Sequence, residues 1–390
     1  MNNHYDFIFA GGGCAGLSLA YAMSQTEFRD RAMLIIDPVV KAYNDHTWCY
    51  WSREPSPFDA LAYRTWDRIA FIAAGFAREF DLAPYRYRMV RGLDFYRHTR
   101  EALTALPNVD FLRGEVERVV DAAGPEKQRA EVLVNALTFT GDWVFDSRYR
   151  ATEYRPLTRR YHYLTQHFLG WEIETAAPVF DPATPRMFDF RTPQRGAMRF
   201  VYVLPYDARR GLVEYTLFSK DLLPLAEYEA ALRAYIADVL GAREYRILEE
   251  ERDLIPMTEH PAERRAGQRV LNIGTRGGRV KASTGYAFLR IQRDAAAIIR
   301  SLRARGHPFD LPAPPRRYRT FDAILLDILQ YHGDLGQTAF TAMFRNNPLD
   351  RLFRFLDEEG DVYENLRLMA SVPSWPFIRA WIHLHTRRLR

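Results

Sequence analysis

The chain has few cysteines and no long apolar run. Cys14 and Cys49 are its only cysteines, so the chain has neither a disulfide framework nor enough thiolates for a metal cluster. No uncharged apolar stretch reaches the roughly 20 residues that cross a bilayer. No basic region precedes the first apolar run, and Asp6 lies directly before it, which disfavours a secretory signal. We therefore expect a cytoplasmic protein that contacts a membrane only peripherally.

A strong excess of one charge is also missing. The 54 basic residues nearly balance the 49 acidic ones, and a formal charge of +5 is too small for this length to indicate nucleic-acid binding. Hydrophobic residues at 47% and charged residues at 26% are typical of globular chains rather than disordered ones. The sequence contains no spacing typical of metal ligands and no nucleophile triad.

A strand, a glycine-rich turn and a helix open the chain. Residues 5–10 form a short β-prone apolar run, the glycines follow at once, and residues 17–23 have helical character. A second apolar run, residues 32–36, ends at Asp37. This order predicts a βαβ unit.

The glycines of the turn match the Gly-x-Gly-x-x-Gly fingerprint of dinucleotide-binding proteins. Gly11 permits the tight turn, Gly13 lets the pyrophosphate approach the backbone, and Gly16 allows close packing of the helix. The free amides at the helix N-terminus attract the anion. Asp37, about 20 residues further on, would accept a hydrogen bond from the adenosine ribose.

The fingerprint alone does not separate FAD from NAD, but two features favour FAD. It lies at the N-terminus, and the chain returns through a second glycine loop after residue 270. The carboxylate of Asp37 also disfavours NADP at this site, since it would repel a 2′-phosphate. We therefore predict an α/β fold with an FAD-binding Rossmann-type domain.

Later segments divide the chain into three parts. We predict the Rossmann lobe over residues 1–150, with insertions, and its completion by residues 265–305. Period-two sequence rich in aromatic residues predicts an antiparallel β substrate-binding domain over residues 151–264. Helical segments after a proline-rich break predict a C-terminal helical region over residues 306–390.

Several short motifs occur in order along the first three quarters of the chain. They are His46-Thr47-Trp48, the run from Tyr202 to Pro205, Val213-Glu214-Tyr215-Thr216, and a glycine loop from Gly274 that leads into Ser283-Thr284-Gly285-Tyr286. In this combination the chain resembles the lycopene cyclase family, of the bacterial β-cyclase type. The remaining C-terminal part matches only loosely.

The resemblance implies a redox-neutral flavoenzyme that turns the ψ end groups of lycopene into β rings by protonation, cyclisation and deprotonation. It implies FAD in its reduced form, NADPH as the electron source, and a carotenoid substrate. Glu214 would be the general acid, because burial raises the pKa of a carboxyl group and an anionic reduced flavin would raise it further. From the alternating pattern alone, Glu214 would instead be a solvated side chain facing outward.

The resemblance also suggests roles for other residues of these motifs. His46 is a candidate proton relay, although a histidine beside tryptophan is more often a structural group. The faces of Trp48, Tyr202 and Tyr286 could contact substrate and stabilise a developing cation, although each also suits a core. The remaining candidates, all for cofactor binding, are Gly274, Gly277, Thr284 and Gly285.

The chain departs from the family pattern at two places. Tyr149 replaces the glycine of an Asp-x-Arg-Gly element at residues 146–149, which affects the local turn. Its Arg148 is a candidate for orienting a phosphate, or else a surface ion pair. Lys281 precedes the Ser-Thr-Gly-Tyr box where a neutral side chain or imidazole is expected, which predicts a different charge near the flavin.

The C-terminal helices suggest contact with a membrane, where carotenoids reside. Leu349, Leu352, Phe353 and Leu356 fall on one helical stripe, and the tail at 387–390 is basic. Ordinary core packing explains the same stripe. We expect peripheral attachment at the inner face of the membrane.

Two other functions fit the same residues. A flavin monooxygenase or isoprenoid reductase of this fold would transfer oxygen or hydride instead of a proton, and a carotenoid-binding flavoprotein would not turn over. The sequence also leaves open the ring type, the number of ends cyclised, the choice between NADPH and NADH, and the oligomeric state.

Overall fold

The computed structural model describes residues 2–123, 128–154 and 160–388, with side chains as far as residue 386. The side chains of the basic tail at 387–390 lie outside this part of the chain. The fold is mixed α/β, as predicted, and has two large sheets and a C-terminal group of helices.

The first sheet contains the predicted βαβ unit. Strand β1 (His4–Ala10) pairs in parallel with β2 (Met33–Asp37) on one side and β11 (Leu137–Asp146) on the other. Its apolar residues are buried on both faces, which is typical of a parallel strand between two layers. The strand order is β8-β2-β1-β11-β10-β9 with β17 beside β11, and the remaining strands are β8 (Val109–Arg113), β9 (Val116–Asp121), β10 (Ala130–Val134) and β17 (Val270–Asn272).

Three helices cover one face of this sheet. Helix α1 (Cys14–Ser24) follows the glycine turn, and α2 (Gly92–Thr104) and α5 (Phe288–Arg305) pack beside it in one apolar cluster. The late strand β17 runs parallel to the end of β11, so the chain returns to the first sheet shortly before α5. This return brings the loop after β17 next to the start of α1.

The second sheet is mainly antiparallel, in the order β16-β12-β15-β14-β13-β5-β6. Its bounds are β5 (Arg68–Ala73), β6 (Phe76–Asp81), β12 (Leu164–Thr175), β13 (Arg186–Asp189), β14 (Met198–Pro205), β15 (Arg210–Ser219) and β16 (Tyr245–Met257). Helix α4 (Leu225–Asp238) packs against one face through Leu232 and Ile236. The opposite face of β14 and β15 faces the C-terminal helices and the interior of the molecule.

The segment before α2 crosses between the sheets, which the predicted boundary at residue 150 does not anticipate. Strands β5 and β6 extend the second sheet, although they lie within the part assigned to the Rossmann lobe. The same stretch forms a three-stranded sheet of β3 (Thr47–Ser52), β7 (Arg86–Arg91) and β4 (Arg64–Trp66), and a short 3₁₀ turn at Asp59–Leu61. Sequence patterns do not reveal such long-range strand pairing.

Six further helices complete the described chain. A short α3 (Ala151–Tyr154) follows β11, and the C-terminal helices are α6 (Arg316–Tyr331), α7 (Leu335–Asn346), α8 (Leu349–Leu356), α9 (Val362–Met369) and α10 (Ser374–Arg388). Of the two explanations left open for the stripe of α8, core packing holds, because Leu352, Phe353 and Leu356 are buried in the core beside the second sheet. The apolar stripe of α8 therefore packs against the core of the chain itself.

Candidate active site

A cavity of about 330 Å³ lies between the first sheet, the second sheet and β3. Most of the predicted site residues line it, although they come from distant parts of the chain. They are Gly13, His46, Trp48, Tyr202, Glu214, Gly274, Thr284, Gly285 and Tyr286. Gly11, Gly16, Asp37 and Gly277 are not among the lining residues.

At one end of the cavity is the start of α1. Gly13 is the N-cap of this helix, and no side chain caps its first amides. A Cβ added at Gly13 would meet no atom within 4 Å, so the space beside it is open. An uncapped helix N-terminus beside open space can accept an anionic phosphate group.

Gly11 and Gly16 do not line the cavity, but they allow the close packing that positions the start of α1. A Cβ at Gly16 would lie 2.0 Å from the Gly11 carbonyl oxygen, so helix and turn pack directly on each other. Gly11 has a φ of +117° and lies against Ser147. Gly274, with a φ of +58°, leaves no room for a Cβ against Ala15, which places the second glycine loop on α1.

Asp37 and Gly277 lie away from the cavity wall. Asp37 Oδ2 accepts a hydrogen bond from the Gly12 amide at 2.8 Å, and its Oδ1 accepts one from the Val39 amide at 2.9 Å. The carboxylate therefore holds the glycine turn against the end of β2. Gly277 packs against the end of β17, where a Cβ would lie 2.5 Å from the Asn272 carbonyl oxygen.

Among the cavity-lining residues with a buried polar atom that has no hydrogen-bond partner, two lie beside Gly285. The atoms are Oε1 of Gln166 and Oγ1 of Thr284, both in residues that are less than a tenth exposed. Gly285, with a φ of +75°, brings its backbone so close to Gln166 that a Cβ would overlap the amide oxygen. Because unpaired buried polar atoms are costly, these two atoms indicate a polar ligand in the cavity.

Glu214 lies in a row of residues that crosses four strands of the second sheet. The row runs from Tyr202 on β14 through Glu214 on β15 and Gly170 on β12 to Glu251 on β16. Because opposed residues share a face, the two glutamates and Tyr202 all point into the cavity. Gly170 has no side chain between the glutamates, and a Cβ there would lie 3.4 Å from Cβ and Cγ of Glu214.

Glu214 is a buried acid. It is 8% exposed, and its Oε1 accepts a hydrogen bond from the Thr216 hydroxyl at 2.6 Å. Burial raises the pKa of Glu214 to about 8, and the charge of Glu251 contributes to the rise against the opposing effect of Thr216. A carboxyl group with this pKa carries a proton at neutral pH.

Glu251 is held more firmly than Glu214. Its Oε1 accepts the Thr47 backbone N–H at 2.8 Å, and its Oε2 accepts the Thr47 hydroxyl at 2.5 Å. Burial raises the pKa of Glu251, while the two donors of Thr47 and the charge of His46 oppose that rise. These contacts tie β16 to the start of β3.

His46 forms ion pairs with two aspartates. Its Nε2 lies 2.9 Å from Oδ2 of Asp253 and its Nδ1 lies 3.0 Å from Oδ1 of Asp45, which also pairs with Lys41 at 2.7 Å. Burial alone would lower the pKa of His46, but the two carboxylates outweigh it and raise the pKa to about 10. His46 is therefore a fixed cation at neutral pH, which does not suit the predicted role of proton relay.

Aromatic rings form much of the remaining wall. The hydroxyls of Tyr202 and Tyr286 are 3.4 Å apart, and burial raises the pKa of both phenols. Trp48 stacks on Phe288 with ring centres 5.4 Å apart. Neutral rings on a buried wall suit an apolar ligand.

Arg148 and Lys281, which the sequence placed near the cofactor, both form ion pairs within the protein. Arg148 forms a pair of hydrogen bonds with Asp146, at 2.9 and 2.8 Å, and donates to the Val116 carbonyl, so it fixes the turn after β11. Lys281 is buried away from the cavity and pairs with Asp322 and Glu358, at 2.6 and 3.0 Å. Asp322 and Glu358 therefore neutralise the positive charge of Lys281, which the sequence had placed near the flavin.

Sequence reasoning missed Gln166, Glu251 and Asp253. The last two lie in a run of charged residues from Glu249 to Asp253 that is typical of a solvent-exposed edge strand. Only the register of β16 against β12 shows that Glu251 is buried. No metal-binding cluster of histidine, cysteine and carboxylate side chains occurs within the described residues.

Comparison with known proteins identifies relatives along nearly the whole chain. The model of the family described as "Lycopene cyclase protein" matches residues 6–381. The lycopene beta-cyclase of Pseudescherichia vulneris is 24% identical over 396 aligned positions, which cover 96% of both chains. The resemblance predicted from the sequence motifs is thus confirmed.

Solved structures of flavoproteins share the fold. A geranylgeranyl bacteriochlorophyll reductase-like protein of Thermoplasma acidophilum superimposes with a TM-score of 0.58 and 11% identity, over 98% of this chain and 99% of that one. The flavin-dependent brominase Bmp2 superimposes with a TM-score of 0.56 and 13% identity, over 94% of this chain and 98% of that one. At these identities the likeness establishes the Rossmann-type flavoprotein fold and no further property.

The ion pairs of His46 predict its titration. In the wild-type protein the imidazole should stay protonated from pH 6 to pH 9, because its pKa lies near 10. Asp253→Asn should lower that pKa by about 1 to 2 units, since one of the two carboxylates is lost. Nitrogen NMR of histidine-labelled protein measures both values, with His46→Gln to assign the signal.

Asp238→Asn, which neutralises an exposed aspartate on α4, is the control and should leave the His46 signal unchanged. A wild-type His46 that titrates near its ordinary pKa of 6.5 would contradict the ion-pair arrangement.

Proposed function

The chain belongs to the lycopene cyclase family, and we propose that it is an FAD-dependent lycopene β-cyclase in which Glu214 is the general acid. The observation that carries this proposal is a buried carboxyl group with a pKa of about 8 on the wall of a cavity lined in part by aromatic rings. Ring closure of a ψ end group needs a proton donor in a place that excludes water, and Glu214 meets both conditions.

The residues at the α1 end of the cavity fit a flavin dinucleotide. The open space at Gly13 and the uncapped amides of α1 suit the pyrophosphate. The unpaired atoms of Gln166 and Thr284 offer polar partners further along the wall. Asp37 fixes the glycine turn and retains free lone pairs for the adenosine ribose.

When bound in its reduced form, with NADPH as the electron source, FAD supplies negative charge that stabilises a cation without net redox change. Among the other cofactor candidates, Gly274 and Gly285 bring two loops onto this wall. Gly277 supports the Gly274 loop from outside. The cofactor candidates bind and orient the flavin, and other side chains transfer the proton.

Glu214 transfers the proton in both directions. Because Thr216 donates to Oε1, the proton of the neutral acid belongs on Oε2. The terminal carbon–carbon double bond of the ψ end takes this proton, and the resulting cation closes the ring through a new carbon–carbon bond. The carboxylate left at Glu214 then accepts the proton that the ring loses, so the acid is regenerated.

Neighbouring groups stabilise the cation. Trp48, Tyr202 and Tyr286 line the cavity, and the faces of aromatic rings attract positive charge. His46 is itself a cation, so it acts through Asp45 and Asp253, whose positions it fixes, and not as a proton relay.

We propose that α10 docks on the membrane in place of the predicted stripe. One side of α10 packs on α6 through Ala380 and Leu384. The other side exposes large apolar side chains, each about half exposed or more: Trp375, Ile378, Trp381 and Ile382. Tryptophan favours the membrane interface, and no helix in the described ranges has the length and apolar character to cross a bilayer.

The open space at Gly13 predicts a separation of folding from flavin binding. Gly13→Ala should leave the unfolding temperature of the flavin-free protein unchanged, because the new Cβ meets nothing within 4 Å. It should weaken FAD binding about tenfold or more, since the methyl group occupies the approach to the helix amides. Flavin fluorescence titration measures the affinity, and unchanged FAD affinity would contradict the proposed pyrophosphate site.

Replacing the acid should abolish ring formation. Glu214→Gln keeps the size of the side chain but removes the proton, and we expect cyclisation of lycopene to fall by about 10² to 10⁴. Pigment analysis of lycopene-producing cells and assays with purified protein measure the loss, with bound FAD as the control that should not change. Wild-type rates of ring formation in this variant would rule out Glu214 as the acid.

The same assay separates the rival functions. The proposed cyclase should form rings without oxygen and without stoichiometric consumption of NADPH. A monooxygenase requires oxygen, an isoprenoid reductase consumes NADPH with each product, and a pigment-binding flavoprotein binds carotenoid equally well with Gln at position 214.

The exposed side of α10 predicts vesicle binding. The double variant Trp375→Ser, Trp381→Ser should bind anionic lipid vesicles about tenfold more weakly or worse, because withdrawing one large apolar side chain from lipid costs roughly 1.5 to 3 kcal/mol. Co-sedimentation with vesicles measures the binding. Leu222→Ser, Leu225→Ser, which removes exposed apolar side chains beside α4, is the matched control. Equal binding by both variants would exclude α10 as the contact.

A further inference from the structure

We propose that Glu251 is a positioning residue that keeps the proton on Glu214. The two carboxyl groups lie in one row of the sheet on either side of Gly170, and Glu251 is anchored from a different element. This inference rests on the proposed function and adds a second acidic residue to its machinery.

The geometry of the row brings the two carboxyl groups together. Their backbones are two strands apart, about 10 Å at the usual strand spacing, which the two glutamate side chains can span when no side chain stands between them. Gly170 provides that gap. Both glutamates are less than a tenth exposed, so water screens their interaction weakly.

The hydrogen bonds of the pair are asymmetric. Glu251 accepts from a backbone N–H, which can only donate, and from the Thr47 hydroxyl. Glu214 accepts only from the hydroxyl of Thr216, among the contacts that the structure records. Donors stabilise the ionised form of a carboxyl group, so the negative charge of the pair belongs on Glu251 and its proton on Glu214.

Other charged groups around the pair favour the same distribution. His46, from the segment before β3, places positive charge on the Glu251 side. Asp253 lies two residues after Glu251 on the same face of β16. Its negative charge disfavours ionisation of Glu214.

The remaining titratable neighbours are neutral. Tyr202 on β14, Cys49 on β3 and Tyr286 in the loop before α5 all have pKa values raised by burial. They do not supply the charge that acts on Glu214, which leaves Glu251 and Asp253 as its source.

The test is the pH dependence of cyclisation in Glu251→Gln. The amide can keep both contacts to Thr47, with the hydroxyl now accepting. Glu214 must be protonated to act, so activity is lost as pH rises through its pKa near 8. Removing the neighbouring charge should move this alkaline limb of kcat/KM down by about 1 to 2 pH units.

Glu250→Gln is the matched control. It removes the same charge from the adjacent residue, whose side chain lies on the other face of β16 and bonds to Trp171. In Glu250→Gln, kcat/KM should fall at the same alkaline pH as in the wild type. A limb that stays in place in Glu251→Gln, or that moves equally in both variants, would overturn the proposal.

Infrared titration of the buried carboxyl band tests the pair without activity or flavin. In the wild type, one protonated carboxyl group should ionise near pH 8, and in Glu251→Gln it should ionise at lower pH. If Glu251→Gln does not fold, the same infrared titration of Glu214→Gln tests which glutamate carries the proton. No carboxyl group should then titrate near pH 8, whereas a band that persists there would assign the proton to Glu251 and overturn the proposal.

These results are separable from a failure of the proposed function. A wild-type protein that forms no rings from lycopene refutes the cyclase assignment, and the infrared titration still tests the carboxyl pair. Ring formation that depends on Glu214 but has the same pH profile in Glu251→Gln refutes only the role of Glu251.

Discussion

The burial of two carboxyl groups in one row of the second sheet is the constraint on which the site depends. A lone glutamate on β15 would ionise if water reached it, and its acidity would then be that of an ordinary side chain. The apolar faces of β14 and β15, with the C-terminal helices packed behind them, keep water away. Gly170 leaves the gap between the two side chains, and in the proposed arrangement the donors of Thr47 place the negative charge on Glu251. Fold and acidity are thus determined by the same contacts.

The sequence predicted what short-range patterns encode. The strand, glycine turn and helix at the N-terminus follow from spacing alone, because each glycine has a local steric reason. Glu214 was identifiable only because the motif Val213-Glu214-Tyr215-Thr216 resembles one of a known family, since its alternating strand does not say which face is buried. Glu251 was not identifiable, because its burial comes from strand register across β12, and register is a property of the assembled sheet.

The C-terminal helices show a related limit. An apolar stripe identifies a surface that must be covered, but not what covers it. The apolar stripe of α8 is covered by the aromatic core, where the ring centres of Trp51 and Phe353 are stacked 4.5 Å apart. In α10, by contrast, one side packs on α6 while the exposed side carries tryptophan and isoleucine. The distinction appears only when the helices are packed, because both stripes have the same periodicity.

On the proposed chemistry, the charges around the cavity suit both halves of a proton cycle. With Glu214 neutral, the carboxylates of Asp45, Asp253 and Glu251 exceed the two cations Lys41 and His46, so the wall has an excess of negative charge. That excess favours a developing cation in the cavity. Once Glu214 has given up its proton, the wall gains a further negative charge beside Glu251. The same repulsion that holds the proton on Glu214 before the reaction then drives its return, so a single acid can serve as donor and acceptor.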